Sequence, residues 1–242
     1  FHHFRDDGTI YNHTIRHLVS STRFVFNFAS AGAAFNRPDY LELARHGLRF
    51  IEQAHTNPQT GGYAWILHNG RPHDDTNHCY GLAFVLLAYA AALKAGIGEA
   101  RTGLDRAFAL LEARFWDAEY GLYRDEYSRD WQLSPYRGQN ANMHSCEALL
   151  AAYEATGDDF FLQRAYTVAE NIAVRQAALS QSAGDLIWEH YTDKWQIDWE
   201  YNKDNPQHRF RPWGFQPGHQ TEWAKLLLIL ERYRPADWQL GR

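Results

Sequence analysis

The segment PGHQTEWAKLLLIL, residues 217–230, places His219 and Glu222 three residues apart at the start of an apolar run. Its leucine-rich part is typical of a helix that is buried on most sides. A helix of that kind needs neither a histidine nor a carboxylate for its own stability. Because residues three apart lie on the same helical face, both side chains can point into one cavity. The segment therefore predicts a buried helix with polar side chains at its amino end.

The same arrangement occurs in NMHSCEALLAAYEATGD, residues 142–158. Here His144 and Glu147 are three residues apart, and an apolar run again follows. Two copies of one pattern indicate an internal structural repeat in which equivalent helices begin in the same way.

Helical periodicity dominates the rest of the chain. The predicted helices cover residues 13–31, 39–55, 76–95, 99–115, 141–156, 159–178 and 219–234. Strand signals are short and weak, as in GGYAWILHNG at 61–70 and DLIWEHYTDKWQ at 185–196. The chain shows no low-complexity segment and no linker, so we predict a single all-α domain over residues 1–242.

Two kinds of helix alternate along the sequence. The segments YLELARHGLRFI at 40–51 and FLQRAYTVAENI at 161–172 share a frame of apolar positions and carry their charges on one face, as half-exposed helices do. The segments GLAFVLLAYAAAL at 81–93, EALLAAYEA at 147–155 and WAKLLLIL at 223–230 are apolar nearly all round, as buried helices are. This alternation predicts an α/α toroid, in which an inner ring of helices packs inside an outer ring.

Parallel inner helices place their amino ends together at one end of such a toroid. The polar residues expected to converge there are Arg23, Tyr80, His144 and His219. Helix amino ends favour negative charge, including charge that develops during a reaction. The sequence therefore predicts one polar cavity built from residues that are far apart along the chain.

The composition excludes several classes of partner. The 242 residues carry a formal net charge of -5 and a pI near 6.2, which leaves no basic surface for nucleic acid or for a membrane. No apolar run approaches the roughly 20 residues that span a bilayer, and FHHFRDDGTI at 1–10 lacks the pattern of a signal peptide.

Cys79 and Cys146 form no ligand-spaced pair, which favours a reducing, cytoplasmic setting. The surplus of aromatic residues suits stacking on carbohydrate.

A histidine beside a carboxylate suits proton transfer near neutral pH, because the carboxylate raises the pKa of the imidazole and orients it. Structural interpretations stay open beside this one. Glu at the third helical position is a common capping residue, and Asn140 and Asn142 are candidate helix caps. Arg23 is a candidate ion-pair partner, although against this it lies among apolar residues, where an unpaired charge is costly. Tyr80 is equally a candidate core residue.

A metal site is a further alternative, because His144, Glu147, His219 and Glu222 offer two imidazoles and two carboxylates. Their order, His-x-x-Glu, is the reverse of the Glu-x-x-His motif of di-iron bundles, and no additional Glu-bearing helix pair completes a ligand set. We therefore predict a site with no metal ion and no other cofactor.

The motifs TRFVFNFA at 22–29, YGLAFVLLAYAAAL at 80–93, NANMHSCEALLAAYEATGD at 140–158 and PGHQTEWAKLLL at 217–228 resemble the N-acylglucosamine 2-epimerase superfamily. The Glu-Trp-Ala that follows the histidine of the last motif is most similar to the aldose–ketose isomerase branch, which includes D-mannose isomerases. The resemblance extends over nearly the whole chain.

The resemblance implies an (α/α)6 barrel of twelve helices, of which this chain carries about seven, so the barrel is incomplete at its carboxyl end. It also implies metal-independent proton transfer at C2 of a sugar through an enediol intermediate. The candidate catalytic residues are His219 as base, Glu222 as its supporting carboxylate, and His144. The candidate substrate-binding residues are Arg23, Tyr80, Asn140 and Glu147, with His144 also near the hydroxyls. A second acid/base histidine is expected beyond Arg242.

We therefore predict a sugar isomerase of the mannose–fructose type that acts on a small monosaccharide or disaccharide, with a homodimer left open. The alternative within the family is a 2-epimerase of the N-acylglucosamine or cellobiose type. An alternative of another class is an (α/α)-barrel glycoside hydrolase that uses Glu147 and Glu222 as its two carboxylates. A non-catalytic carbohydrate-binding protein is the third alternative.

Overall fold

The structure, a computed structural model, describes residues 1–180 and 184–235. The helices are α1 Leu18–Ala34, α2 Pro38–Phe50, α3 Cys79–Lys94, α4 Ala100–Leu110, α5 Gln139–Thr156, α6 Asp159–Glu170 and α7 Pro217–Tyr233. Each predicted helix is confirmed, in the predicted order. Among the described residues, no helix combines the length and the apolarity needed to cross a membrane.

Short strands connect the helices. They are β1 His3–Phe4, β2 Ile10–Asn12, β3 Ile15–His17, β4 Ile66–His68, β5 Arg71–Asp74, β6 Asn77–His78, β7 Trp116–Asp117, β8 Leu122–Tyr123, β9 Glu126–Tyr127, β10 Arg137–Gly138 and β11 His190–Tyr191. All pairings are antiparallel: β1 with β2, β4 between β3 and β5, β6 with β9, β7 with β8, and β10 with β11. The two weak strand signals of the sequence correspond to β4 and β11.

The predicted starts of two helices were wrong. Helix α1 begins at Leu18 and not near 13, and α3 begins at Cys79 and not near 76. In both cases the residues before the helix form a strand, β3 or β6, which pairs with a hairpin from later in the chain. This pairing is not local, so helical periodicity could not reveal it.

The outer helices α2, α4 and α6 each end in a π-helical turn. These turns are Ile51–His55, Leu111–Phe115 and Asn171–Gln176. A buried phenol hydroxyl then donates to the glutamate of the first two turns. These bonds are Tyr89 Oη to Glu52 (2.9 Å) and Tyr123 Oη to Glu112 (2.6 Å). The glutamates occupy the same place in their turns, but the tyrosines come from different elements, α3 for Tyr89 and β8 for Tyr123.

Helices α1, α3, α5 and α7 form an inner row, and α2, α4 and α6 lie outside it. Each inner helix packs on the next inner helix, and α1, α3 and α5 also pack on the outer helix that follows them. The inner helix α3 is buried along nearly its whole length, as its all-round apolar sequence predicted. Close packing needs a glycine at position 103, since a Cβ there would lie 2.1 Å from the ring of Tyr89. The predicted all-α toroidal arrangement is confirmed.

Three inner helices are fixed in one manner at their amino ends. The first backbone N–H of each helix donates to a carbonyl in the hairpin of the next repeat. These bonds are Leu18 N to Trp65 O (3.0 Å), Cys79 N to Asp125 O (2.8 Å) and Gln139 N to Glu189 O (3.2 Å). Trp65, Asp125 and Glu189 thus occupy equivalent places beside the ends of successive inner helices.

Candidate active site

A cavity of about 500 Å³ opens at the amino ends of the inner helices. The seven candidate residues all line it: Arg23, Tyr80, Asn140, His144, Glu147, His219 and Glu222. Thr22, Phe26, Asn27, Phe84 and Leu87 complete its wall. The convergence predicted from the parallel inner helices is therefore confirmed, and the cavity has a volume within the usual range for small-molecule sites.

Helix α1 supplies Arg23 to the cavity from its second turn, with the guanidinium 4.8 Å from the centre of the Phe84 ring. The sequence indicated an Arg23 surrounded by apolar residues. The structure corrects this, because Arg23 is exposed toward the cavity and makes no ion pair with a described residue. A charge in that position is free to contact an oxygen of a bound molecule.

Aromatic rings hold His144 against the wall of the cavity. The Tyr80 ring meets the His144 ring edge-on with centroids 5.0 Å apart, and the Phe84 ring lies 4.7 Å away. Burial raises the pKa of Tyr80, and the nearby Arg23 opposes this effect. The Tyr80 hydroxyl is therefore a neutral hydrogen-bonding group near neutral pH. Tyr80 packs against the core and also lines the cavity, so it is both a core residue and a candidate contact for a substrate.

The pair His144 and Glu147 forms as predicted. The imidazole Nδ1 lies 3.2 Å from Glu147 Oε2, and Lys225 Nζ donates to Glu147 Oε1 at 3.0 Å. Burial alone would raise the pKa of Glu147, but the hydrogen bonds from His144 and Lys225 lower it to about 2. Glu147 is therefore a permanent carboxylate at neutral pH.

The capping interpretations were wrong. The residue before α5 is Gly138, while Asn142 lies inside the helix, where its side chain bonds both backbone groups of Tyr123 (2.8 and 3.0 Å). Asn140 lies in the first turn and faces the cavity. Glu147 and Glu222 lie beyond the first turn of their helices, too far along to reach a helix cap.

The carboxylate that contacts His219 is Glu189 and not Glu222. The imidazole Nδ1 lies 3.0 and 2.9 Å from the two Glu189 oxygens. Glu222 instead accepts a hydrogen bond from Lys225 at 3.5 Å. Burial lowers the pKa of His219, but the hydrogen bond and charge of Glu189, with a smaller effect of Glu222, raise it overall. Glu222 thus acts on His219 through its charge only.

Three of these residues also bring potential metal ligands together. One ligand atom from each of His144, Glu147 and Glu222 lies within 4.8 Å of the others. Lys225 Nζ already contacts both carboxylates. Its ammonium supplies part of the positive charge that a bound metal ion would otherwise supply.

Sequence analysis missed Glu189, Lys225 and Gln139, whose Nε2 lies 2.9 Å from His219 Nδ1. Glu189 lies in a connection without helical periodicity. A signal for it exists in the repeat, since DEYSRDWQL at 125–133 and EHYTDKWQI at 189–197 align without a gap. That alignment places Glu189 opposite Asp125, whose carboxylate accepts a hydrogen bond from Gly138 N at the start of α5.

Comparison with known proteins identifies the family of the chain. The family model described as N-acylglucosamine 2-epimerase (GlcNAc 2-epimerase) matches residues 1–240. A D-mannose isomerase of Marinomonas mediterranea is 55% identical over 243 residues, which cover 100% of this chain and 61% of that protein. The chain thus spans less than two thirds of the length of this relative.

Solved structures give the same assignment. A crystal structure of a D-mannose isomerase matches with a TM-score of 0.93 at 55% identity, covering 97% of this chain and 60% of that one. A cellobiose 2-epimerase from Spirochaeta thermophila matches with a TM-score of 0.79 at 23% identity, covering 93% of this chain and 55% of that one, which shows the fold alone. The seven helices are accordingly part of an (α/α)6 barrel. The chain belongs to the N-acylglucosamine 2-epimerase family, in the branch that contains D-mannose isomerases.

Proposed function

We propose that the protein is an aldose–ketose isomerase of the mannose–fructose type. The observation that carries the proposal is the position of His219, which lines a polar cavity with Nδ1 occupied by Glu189. No described residue forms a hydrogen bond with its Nε2, so that nitrogen is available to a substrate. The similarity to D-mannose isomerases supports the sugar class.

In this proposal the substrate is the open-chain aldose. His219 Nε2 removes the proton from C2, the electrons of the C–H bond form a C1–C2 double bond, and O1 takes up a proton to give an enediol. Loss of the O2 proton and protonation of C1 then give the ketose. A general base of this kind contributes roughly 10²–10⁴-fold in rate.

The other cavity residues suit the charge that develops on the sugar oxygens. The Arg23 guanidinium and the neutral Tyr80 hydroxyl can donate to O1 and O2 as these gain charge. His144, Asn140 and the ionised Glu147 can bind hydroxyl groups, because together they offer donors and acceptors. Lys225 holds Glu147 and Glu222 in place. The second acid/base histidine is proposed to lie outside residues 1–242.

The pH dependence follows from the state of His219. A base must be neutral, and the pKa of His219 is raised by Glu189 in the folded protein. The value of kcat/KM should therefore fall as the pH decreases through that raised pKa and reach a plateau above it.

The family alternative, a 2-epimerase, would use the same base but return a proton to the opposite face of C2. The hydrolase alternative is less well supported. A hydrolase needs a general acid with a raised pKa, whereas the pKa of Glu147 is about 2. Both candidate carboxylates also share Lys225 as a partner.

One experiment separates these functions. The protein is incubated in heavy water with mannose, glucose, fructose, N-acetylmannosamine or a disaccharide such as cellobiose, and proton NMR spectra are recorded over time. We expect mannose and fructose to interconvert with deuterium incorporated at the carbon that is protonated. A C2 epimer as the sole product would instead establish the epimerase, and new reducing ends from a disaccharide would establish the hydrolase.

We further propose that the reaction needs no metal ion, because Lys225 already forms ion pairs with the two carboxylates that could bind one. Turnover should be unchanged after prolonged EDTA treatment and gel filtration, with metal content followed by mass spectrometry. Complete loss of turnover that a divalent ion restores would contradict the proposal.

A further inference from the structure

We propose that Glu189 is a positioning residue that keeps the proton of neutral His219 on Nδ1 and so leaves Nε2 free as the base. This inference rests on the proposed function only for its effect on turnover. The placement of the proton is a property of the folded protein and can be measured without a substrate.

The argument begins at Trp223, which is 1% exposed. Its indole Nε1 donates to Gln139 Oε1 at 2.7 Å. An indole N–H can only donate, so the oxygen of the Gln139 amide must face it, and the Nε2 end must face the other way. Trp223 therefore fixes the orientation of the Gln139 amide.

The fixed amide then holds Glu189. Gln139 Nε2 donates to the two Glu189 oxygens at 3.1 and 3.0 Å. The Gln139 side chain is fully buried and Glu189 is 3% exposed, so water does not compete for these contacts. The backbone adds rigidity, because Gln220 bonds both backbone groups of Ile187 (3.2 and 2.8 Å) and ties this segment to the first turn of α7.

Two groups compete for His219 Nδ1. Glu189 lies within 3.0 Å and can only accept, while Gln139 Nε2 lies at 2.9 Å and can only donate. A hydrogen bond from Nδ1–H to a carboxylate is charge-assisted and stronger than one between neutral groups. The hydrogen bond to Glu189 therefore determines the tautomer, and the proton of the neutral ring lies on Nδ1.

Removing the carboxylate should reverse the outcome. In Glu189→Gln the charge is lost, and the nearby Gln139 Nε2 can then donate to Nδ1. The ring proton moves to Nε2, which faces the cavity, and the base is blocked. At the equivalent positions in the other repeats, Trp65 packs against His17 and His78 but carries no carboxylate, and the Asp125 carboxylate accepts from the backbone N–H of Gly138. Among the three positions, only Glu189 therefore offers a carboxylate to a histidine.

Other titratable or charged groups face His219 from its own helix and from the neighbouring helices. They are Glu222 and Lys225 on its own helix, His144 and Glu147 on α5, Tyr80 on α3 and Arg23 on α1. Among the described residues, only Glu189 and Gln139 form a hydrogen bond with the His219 ring. Glu222→Gln should therefore alter the charge near the ring but leave its proton on Nδ1.

The test is long-range ¹H–¹⁵N NMR of the imidazole rings, with His219 assigned by its absence in His219→Asn. We expect the Nδ1–H form in the unmodified chain and in Glu222→Gln, and the Nε2–H form in Glu189→Gln. The titration of His219 should also move to lower pH in Glu189→Gln. Turnover should fall by about 10²–10⁴-fold, as when the orienting carboxylate of a catalytic histidine is replaced by an amide.

A rescue distinguishes positioning from a merely structural role. The double variant Glu189→Gln with Gln139→Glu returns a carboxylate next to Nδ1, and this carboxylate can still accept from Trp223. It should restore the Nδ1–H form and part of the turnover. Glu200→Gln, on an exposed side chain of the same connection (74% exposed), is the matched control and should change neither.

The positioning role of Glu189 and the proposed isomerase activity can be refuted independently of each other. An Nδ1–H signal that persists in Glu189→Gln would overturn the positioning role, whatever the turnover. The positioning role would stand if the unmodified protein showed the Nδ1–H form and Glu189→Gln lost it. If the unmodified protein then converted no sugar, only the proposed isomerase activity would be overturned.

Discussion

Replacing His219 with asparagine is expected to lower turnover by at least about 100-fold, with little change in sugar binding. Asparagine is close in size and can form a hydrogen bond, but it cannot accept a proton near pH 7. Arg23, Tyr80, Asn140 and His144 remain in the cavity, so binding is retained. Exchange of the C2 hydrogen with deuterated solvent should fall in parallel with turnover, and both can be followed by NMR while tryptophan fluorescence reports binding.

His46→Asn is the matched control, since His46 is exposed on the outer helix α2. It should leave turnover, exchange and binding unchanged. If His219→Asn kept nearly normal exchange at C2, another residue would be the base. His219, at the amino end of α7, would then contribute to binding of the sugar and not to proton transfer.

The second large effect is expected at Arg23. Replacing it with glutamine removes the positive charge nearest to the developing enediolate while keeping a hydrogen-bond donor. Loss of one such donor costs about 10²–10³-fold in kcat. We expect the decrease to appear mainly in kcat and less in KM, because the charge on the sugar oxygens develops only in the transition state.

Arg37→Gln is the control, because Arg37 pairs with Asp39 on the surface at the start of α2. It should behave as the unmodified protein does. A rise in KM at constant kcat for Arg23→Gln would mean that Arg23 binds the ground state and the transition state equally. That result would leave Tyr80 as the remaining candidate for stabilising the enediolate.

The helices could be predicted from the sequence because each one buries a continuous apolar stripe, and such a stripe has a period that is visible locally. The starts of α1 and α3 could not be predicted, since the residues just before them form β3 and β6, which pair with strands from later in the chain. The toroidal arrangement was predictable because half-exposed helices alternate along the sequence with helices that are apolar nearly all round.

The cavity residues on helices were predictable because they lie near the amino ends of helices whose apolar pattern is visible in the sequence. Glu189 was not, because its contact with His219 depends on the pairing of β10 with β11, which brings a connecting segment next to two helix ends. The assignment of Glu222 as the partner of His219 relied on sequence proximity. In the structure the charge of Lys225 draws Glu222 toward Glu147 instead.

The stepwise contacts between successive helix pairs have a consequence for synthesis on the ribosome. Because each pair packs mainly on the pair before it, the chain can fold in the order in which it is made, without waiting for distant segments. Helix α7 is the last of the described helices to emerge, and it docks on α5 and α6. A nascent chain would thus hold Arg23, Tyr80 and His144 in place before His219 arrives. The proposed base would thus join a set of binding residues that is already in place.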